Sequence, residues 1–136
     1  MTIHDAADVQ KWAQGRIAEL EYEEAWVLDI NKQHKLIKAE RVEEGTVGST
    51  HLDSKRVVDV AAAARGAGFI LVHNHPSDIP KPGKADIETT DEVIQLAKER
   101  GLRMLDSVVV GRTTHSSLAD LGLMEPPPPP RRRESQ

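Results

Sequence analysis

The chain contains no cysteine among its 136 residues. This absence excludes disulfide bonds, thiolate zinc sites and cysteine nucleophiles, so a bound metal must be held by histidine and carboxylate side chains. Apolar runs are short, and none approaches the length of a membrane-spanning helix. The first residues, MTIHDAADVQKW, have neither a basic start nor an apolar segment, which predicts a protein without a secretory leader and a cytoplasmic location.

Positive charge is also in short supply. The 18 lysine and arginine residues are outnumbered by 22 aspartate and glutamate residues, and the formal net charge is −4. A molecule with this balance has no overall electrostatic attraction to nucleic acid or to an anionic membrane, which argues against both as partners. The length suits one compact domain with tails.

Hydrophobic periodicity and turn residues predict alternating helices and strands. Apolar residues at three- and four-residue steps indicate a helix from Asp5 to Leu20, and two strands joined by a polar turn follow it. Asp53 or Ser54 can cap the next helix, which Gly66 and Gly68 are expected to stop. The run GFILV that follows is typical of a buried strand ending at His73. A helix follows, with Asp86 at its N-cap or first turn and Gly101 as its C-terminal stop. A strand in LRMLDSVVVG and a short pairing or turn in THSSLADLGL complete the pattern. We therefore expect an α/β domain in which helices flank a mixed β-sheet.

This pattern divides the chain into an N-terminal helix at residues 1–20, a folded domain at 21–124 and a tail at 125–136. The tail EPPPPPRRRESQ cannot pack a core and is expected to be disordered, with its prolines favouring polyproline II. Docking of a proline-binding partner on the tail is an alternative, although nothing else there encodes recognition. The arginines at 131–133, with other basic residues, could serve a DNA-associated factor, whose binding would depend steeply on salt.

Two histidines stand a single residue apart in the stretch ILVHNHPSDIPKPGKADIETT. Residues i and i+2 of a strand point to the same side, so His73 and His75 are expected to present their imidazoles together. Three prolines then stiffen the loop that leads to Asp86 at a helix start. Two imidazoles, one carboxylate and a water form the ligand set of catalytic zinc. The alternative is that both histidines are half-exposed strand-end residues and that Asp86 only caps its helix.

The same segment resembles the signature of JAB (MPN+, JAMM) metalloproteases, in which HxH is followed by seven residues, a serine, two residues and an aspartate. His73, His75, position 83 and Asp86 keep that spacing. The stretch HNHPSD is similar to the HNHPSG of the RadC branch, and ADIETT is similar to its ADIxxT. Further segments between residues 21 and 123 also resemble RadC, and they occur in the same order as in that family. They are VLDINKQHKLI, EEGT ending at Thr46, LD at 105–106, and SLADLGL.

The resemblance implies a mixed-sheet α/β fold of the deaminase-like type, with one zinc bound by two histidines and an aspartate. It also implies a glutamate on an early strand that acts as general base toward water and then as general acid toward the leaving amine. The implied substrate is a peptide or protein, cleaved at a peptide or isopeptide bond. In ELEYEEAWVLDI the best-aligned glutamate is Glu23, with Glu24 and Glu21 as alternatives.

Gly83 occupies the position of the family's serine, which is expected to help to bind the tetrahedral intermediate. The change is compatible with metal binding but not necessarily with turnover, so a catalytically attenuated binding module is the alternative to an active hydrolase. Ser77 or a backbone N–H could supply the missing donor.

Other departures from RadC lie outside these positions. DSKR at 53–56 replaces the family's HPRE, and Ser107 replaces the histidine usual after LD. RadC proteins also commonly carry an N-terminal helix-hairpin-helix region, whereas only the helix at residues 1–20 is expected here, which weakens a role on DNA. No motif indicates the identity of the substrate or the oligomeric state.

Overall fold

The computed structural model describes residues 1–44 and 52–129. Their helices are α1 (Ala6–Ala13), α2 (Ser54–Ala64) and α3 (Lys84–Glu99), and their strands are β1 (Glu24–Ile30), β2 (Leu36–Glu44), β3 (Gly68–Asn74), β4 (Met104–Val110) and β5 (His115–Ser117). The strands form one sheet in the order β2-β1-β3-β4-β5. Strands β3 and β4 are parallel, and the other neighbouring pairs are antiparallel. The predicted mixed sheet flanked by helices is confirmed.

Helices cover both faces of the sheet. Helix α1 packs against β4 and β5 and buries Val9 and Trp12 in one core cluster. Helices α2 and α3 lie together on the opposite face, where Val27 and Leu71 belong to a second cluster. Because successive residues of a strand point to opposite faces, the central strands need apolar side chains on both sides, as AWVLDI and GFILV provide. None of the helices that the structure describes is both long and apolar enough to span a bilayer.

Helix α1 is shorter than predicted. It begins after Asp5, whose side chain accepts a hydrogen bond from the N–H of Asp8, and it ends at Ala13 rather than at Leu20. Gly15 adopts a φ of +75°, the left-handed conformation that commonly ends a helix. Ile17 is still buried in the turns that follow, which explains why the apolar spacing looked helical beyond the true end.

Of the two predicted caps, Asp53 is the N-cap of helix α2, and Ser54 is its first residue. The side chain of Asp53 accepts hydrogen bonds from the N–H groups of Lys55 and Arg56, at 3.0 and 3.3 Å. The helix ends at Ala64, two residues before Gly66, and its C-cap Arg65 lies in the left-handed region at φ +57°. Gly68, expected to help to stop this helix, instead opens β3, where an added Cβ would lie 2.7 Å from the Leu105 side chain. Its role is therefore close packing between neighbouring strands.

The predicted turn between β1 and β2 is present. The N–H of Asn31 donates to the carbonyl of Lys35 at 2.9 Å, and the side-chain oxygen of Asn31 accepts from the N–H of Gln33 at 2.9 Å. This local network closes the antiparallel hairpin and fixes its register.

The first residues of the predicted tail, 125–129, lie near the end of α3. Glu125 forms an ion pair with Lys98, and the guanidinium of Arg103 donates to the carbonyl of Pro128 at 2.7 Å. Residues 130–136, with the three arginines, lie outside the described residues, as do residues 45–51 with the end of the EEGT segment. Disorder of the tail stays a prediction.

Strand β1 carries two buried acids, Glu24 and Asp29, of which Asp29 is 1% exposed. Neither carboxylate oxygen of Asp29 has a hydrogen-bond partner among the described residues. Burial raises the pKa of Asp29 to about 7; the ammonium of Lys38 opposes this shift, and the carboxylate of Glu40 adds to it. The folded protein therefore holds a proton on Asp29 through a pH range in which the unfolded chain, with a value near 3.8, has released it.

Replacing Asp29 by asparagine is expected to flatten the pH dependence of folding stability. Since the folded state binds this proton more tightly than the unfolded chain does, the wild-type protein loses stability as the pH rises from about 4 to about 7. The free energy of unfolding is measured by urea denaturation at about pH 5 and about pH 8. Between these two values, the stability of Asp29→Asn relative to wild type should increase by roughly 1–3 kcal/mol. Asp91→Asn, at an exposed site on α3, should follow the wild-type profile. Parallel profiles for Asp29→Asn and wild type would contradict the assignment.

Candidate metal centre

Strand pairing brings three distant segments of the chain to one edge of the sheet. Strands β1 and β3 are antiparallel, with Ala25 opposite His73, so the residues just before β1 lie beside the end of β3. The chain then leaves β3 through the proline-containing loop and enters α3, whose first turn returns to the same edge. The candidate centre lies where these three segments meet.

The two histidines lie side by side at the end of β3. The ring centroids of His73 and His75 are 5.1 Å apart, and both side chains are partly buried. The Nδ1 of His75 lies 2.9 Å from the carbonyl oxygen of Ile79 in the following loop. A carbonyl can only accept, so this contact places a proton on Nδ1 and leaves Nε2 facing the site. Such a carbonyl partner is typical of metal-binding histidines.

Asp86 joins the histidines from the first turn of α3. Its Oδ1 lies 2.9 Å from the Nε2 of His73, and its Oδ2 lies 3.3 Å from the Nε2 of His75. The N–H of Gly83 donates to Oδ2 at 2.7 Å, so the same carboxylate also caps its own helix. The two sequence interpretations of Asp86 are therefore structurally compatible, because capping leaves the carboxylate in contact with both imidazoles.

The protonation states of Asp86 and the two histidines depend on one another. Burial acts to raise the pKa of Asp86, but the contacts with His73 and His75 and the N–H of Gly83 together outweigh burial and hold that pKa far below its usual value. The hydrogen bond to Asp86 raises the pKa of His75, and burial opposes this shift. The carboxylate is thus kept ionised, which is the form that binds a metal ion.

Glu23 is the acid that the structure places with the histidines. Glu23, His73 and His75 each offer one ligand atom, and these three atoms lie within 4.8 Å of one another. The carboxylate of Glu24 has other partners, since it accepts a hydrogen bond from the indole of Trp26 at 2.9 Å and lies 3.5 Å from the guanidinium of Arg41.

Glu21, the remaining alternative, is exposed, and it is not part of the group formed by Glu23 and the histidines. Among the three candidates, the geometry therefore favours Glu23.

The donor set fits a zinc ion. It consists of imidazole nitrogen and carboxylate oxygen, the donors that zinc accepts when thiolates are absent. Bonds of about 2.0–2.1 Å in a tetrahedral site separate neighbouring donor atoms by about 3.3 Å. The contacts of Asp86 with His73 and His75, at 2.9 and 3.3 Å, are close to this value. Although it lies near Asp86, the buried Nε2 of His73 lacks hydrogen-bonding geometry to any described partner, as expected of a nitrogen available to a metal.

Gly83 is the N-cap of α3 and has an unstrained backbone, with φ −87° and ψ 172°. A Cβ at this position would lie 3.5 Å from Oδ2 of Asp86, which is an ordinary van der Waals contact. A serine would therefore fit here and would stand beside the candidate ligand.

Ser77, proposed as a substitute donor, is exposed in the turn after His75. It does not line the pocket that opens beside the candidate centre, which is described below.

The loop after His75 accommodates the aspartate that replaces the last glycine of HNHPSG. Asp78 has a φ of +63°, the left-handed region that favours glycine and otherwise tolerates aspartate and asparagine. Its carboxylate accepts a hydrogen bond from the N–H of Arg112. A Cβ on Gly111 would lie 2.8 Å from that carboxylate, so the small residue at 111 leaves room for this contact.

A pocket opens beside the candidate centre. Twelve residues line it: Glu23, Glu24, Ala25, Glu43, Leu52, Leu71, His73, Ala85, Asp86, Thr89, Thr90 and Ser107. Ser107, at the position of a family histidine, is 1% exposed and accepts a hydrogen bond from the hydroxyl of Thr90 at 2.9 Å. Sequence reasoning overlooked Thr90 as a pocket residue, although it lies in the ADIETT segment.

Asn74, the last residue of β3, was also overlooked. It lies between the two histidines, is fully buried, and bonds to the backbone on either side of Glu23. Its presence within HNHPSD was the available signal, but the spacing argument treated that position only as a spacer.

Comparisons with known proteins identify the family of this domain. A family model described as the RadC-like JAB domain matches residues 3–123. A UPF0758 protein of Stenotrophomonas maltophilia is 35% identical over 123 residues, which cover 90% of this chain and 53% of the relative. A UPF0758 protein of Pelodictyon phaeoclathratiforme is 32% identical over 122 residues, covering 90% and 55%, and one of Histophilus somni is 31% identical over 114 residues, covering 84% and 51%.

The chain thus spans about half the length of these curated relatives. The matched region contains every helix and strand that the structure describes, together with the histidine pair and the aspartate. This chain belongs to the RadC-like JAB domain family.

Proposed function

We propose that this domain is a zinc-dependent hydrolase of the JAB type that cleaves a peptide or isopeptide bond. The observation that carries the proposal is the convergence of His73, His75 and Asp86 with a fourth side chain, Glu23, at the edge of a pocket. Three ligands and one adjacent acid are the minimum set for metal-assisted hydrolysis. Membership of the JAB-domain family supports the same conclusion.

The side chains divide the chemistry between them. His73, His75 and Asp86 would hold the ion, and the carbonyl of Ile79 would keep the imidazole of His75 in the required orientation. A bound zinc ion supplies Lewis-acid chemistry, by polarising the scissile carbonyl and making a water more acidic. Glu23 would accept a proton from the attacking water and deliver it to the nitrogen of the leaving amine.

The neighbouring pocket would receive the part of the substrate next to the scissile bond. Leu52, Leu71 and Ala25 give it apolar walls, and Thr89 and Glu43 add polar atoms. A polypeptide fits this mixture, since its backbone needs hydrogen-bonding groups and its side chains need apolar contact. The pocket adjoins both Glu23 and Asp86, which line it as well.

A second function is favoured by one observation, the glycine at position 83. Without the family's hydroxyl, the site could retain the metal and the polypeptide while stabilising the tetrahedral intermediate poorly. The domain would then act as a binding module. Variants at positions 23 and 83 distinguish this alternative from the hydrolase.

Zinc content tests the ligand set. Protein purified without a histidine tag and supplied with zinc should contain about one zinc per chain by elemental analysis, and Asp86→Ala should contain almost none. Glu88→Ala provides a control in the same helix, because Glu88 is exposed and should not affect binding. Metal-free wild-type protein after zinc is supplied would overturn the hydrolase proposal.

Glu23→Gln tests the proton-transfer role. Because a positioned general base typically contributes about 10²–10⁴ in rate, turnover of peptide and lysine-isopeptide substrates should fall by roughly that factor while zinc content is unchanged. Glu21→Gln, at an exposed acid two residues earlier, should retain wild-type turnover. An active Glu23→Gln enzyme would exclude Glu23 as the general base. If wild type and Glu23→Gln bind substrate with equal affinity and neither turns it over, the binding module would be favoured.

Gly83→Ser tests whether the missing hydroxyl limits turnover. If the donor is absent, the variant should hydrolyse the same substrates faster, by up to about 10²-fold, because one such donor is typically worth about 10²–10³ in rate. Gly83→Ala is the matched control, since it adds the Cβ without the hydroxyl and should give no gain. Equal rates in all three proteins would show that another group already stabilises the intermediate.

A further inference from the structure

Asn74, the residue between the two histidines, is 0% exposed and has both ends of its amide occupied. Its Oδ1 accepts a hydrogen bond from the N–H of Glu24 at 2.7 Å. Its Nδ2 donates to the carbonyl oxygen of Tyr22 at 2.9 Å. These two backbone groups belong to the residues immediately before and after Glu23, so a single side chain brackets that residue.

The segment before β1 has little other support. Pairing of β1 with its neighbours begins at Glu24 and Ala25. Within the part of the chain that the structure describes, residues 21–23 make no backbone hydrogen bond of the kind that closes turns elsewhere in the fold. Tyr22 is 36% exposed, so its side chain is only partly packed against the fold. The amide of Asn74 is therefore the main described restraint on the backbone at Glu23.

We infer that Asn74 is a positioning residue, which fixes the carboxylate of Glu23 toward His73 and His75 without contacting substrate. The inference rests on the proposed hydrolase function for its kinetic consequence, but its structural part stands on the two hydrogen bonds alone. Asn74 follows His73 directly on β3. Any motion of the strand end therefore carries the histidine and the restraint on Glu23 together.

The chemistry of the contact requires an amide. One neutral side chain must accept a hydrogen bond from the N–H of Glu24 and donate one to the carbonyl of Tyr22. The amide of asparagine does both, because it carries an acceptor oxygen and a donor nitrogen on the same carbon. Aspartate can accept from Glu24 but cannot donate to Tyr22, and it would introduce a buried charge. Alanine removes both contacts and leaves two backbone groups without partners.

A double-mutant cycle tests whether Asn74 acts through Glu23. Wild type, Asn74→Ala, Glu23→Gln and the double variant are compared for kcat and KM with the same peptide or isopeptide substrate. Misplacing a catalytic group by about 1 Å can cost about 10²-fold, so Asn74→Ala should lower kcat by roughly 10- to 100-fold and leave KM nearly unchanged. In the Glu23→Gln background, loss of Asn74 should cost nothing more.

Gln10→Ala is the matched structural control. Gln10 is also a buried amide, and its Nε2 donates to the carbonyl of Gly111 at 3.1 Å. Its removal should destabilise the fold to a similar degree without lowering kcat. Zinc affinity provides a second control, because a residue that orients the metal ligands would cost about 10–100-fold in affinity, whereas Asn74→Ala should change it far less.

Amide hydrogen exchange gives a readout that needs no turnover. The N–H of Glu24 should exchange faster in Asn74→Ala and keep its protection in Asn74→Asp, which still offers an acceptor. Unchanged exchange of Glu24 in Asn74→Ala would overturn the inference even if no substrate is found. Additive losses in the kinetic cycle would overturn it as well. An unaffected Glu23→Gln enzyme would instead refute the proposed role of Glu23 and leave the exchange result to decide on the contact.

Discussion

The candidate site depends on the antiparallel pairing of β1 with β3. That ladder sets Ala25 opposite His73 and therefore brings the acidic segment before β1 to the end of the histidine strand. The pairing is enforced by burial on both faces, since Val27, Leu28, Leu71 and Val72 are all 2% exposed or less. A shift of one residue would turn each apolar side chain to the opposite face. Packing of the core thus fixes the register that brings the catalytic candidates together.

The elements with clear local signals could be predicted from the sequence. Asp53 capped its helix, the polar residues at 31–35 closed the hairpin, and the alternation of elements gave the mixed sheet. Helix α1 was overextended because buried apolar residues in consecutive turns copy helical spacing, and the glycine that interrupts them carries little weight in a periodicity argument. Local sequence therefore described regular elements better than the turns that end them.

Within the candidate site, the histidines and Asp86 could be identified because their spacing is short and they lie on either side of one loop. The choice among three neighbouring glutamates could not be made from spacing. It depends on a partner from another strand, since Arg41 of β2 and the indole of Trp26 occupy Glu24. Asn74 was overlooked for a related reason, because its hydrogen bonds reach residues about fifty positions away. Contacts of that range become visible only when the sheet is assembled.

The contact between His75 and the carbonyl of Ile79 has a consequence for transferring this site to another scaffold. The loop after the histidines is part of the acid–base chemistry of the centre, because its backbone selects the imidazole nitrogen that remains free. Its shape is set in turn by the left-handed backbone of Asp78 and by the hydrogen bond from Arg112. A graft carrying only the histidines and the aspartate would leave the tautomer of His75 unspecified. The smallest portable unit is therefore the strand end together with the whole loop and the first turn of α3.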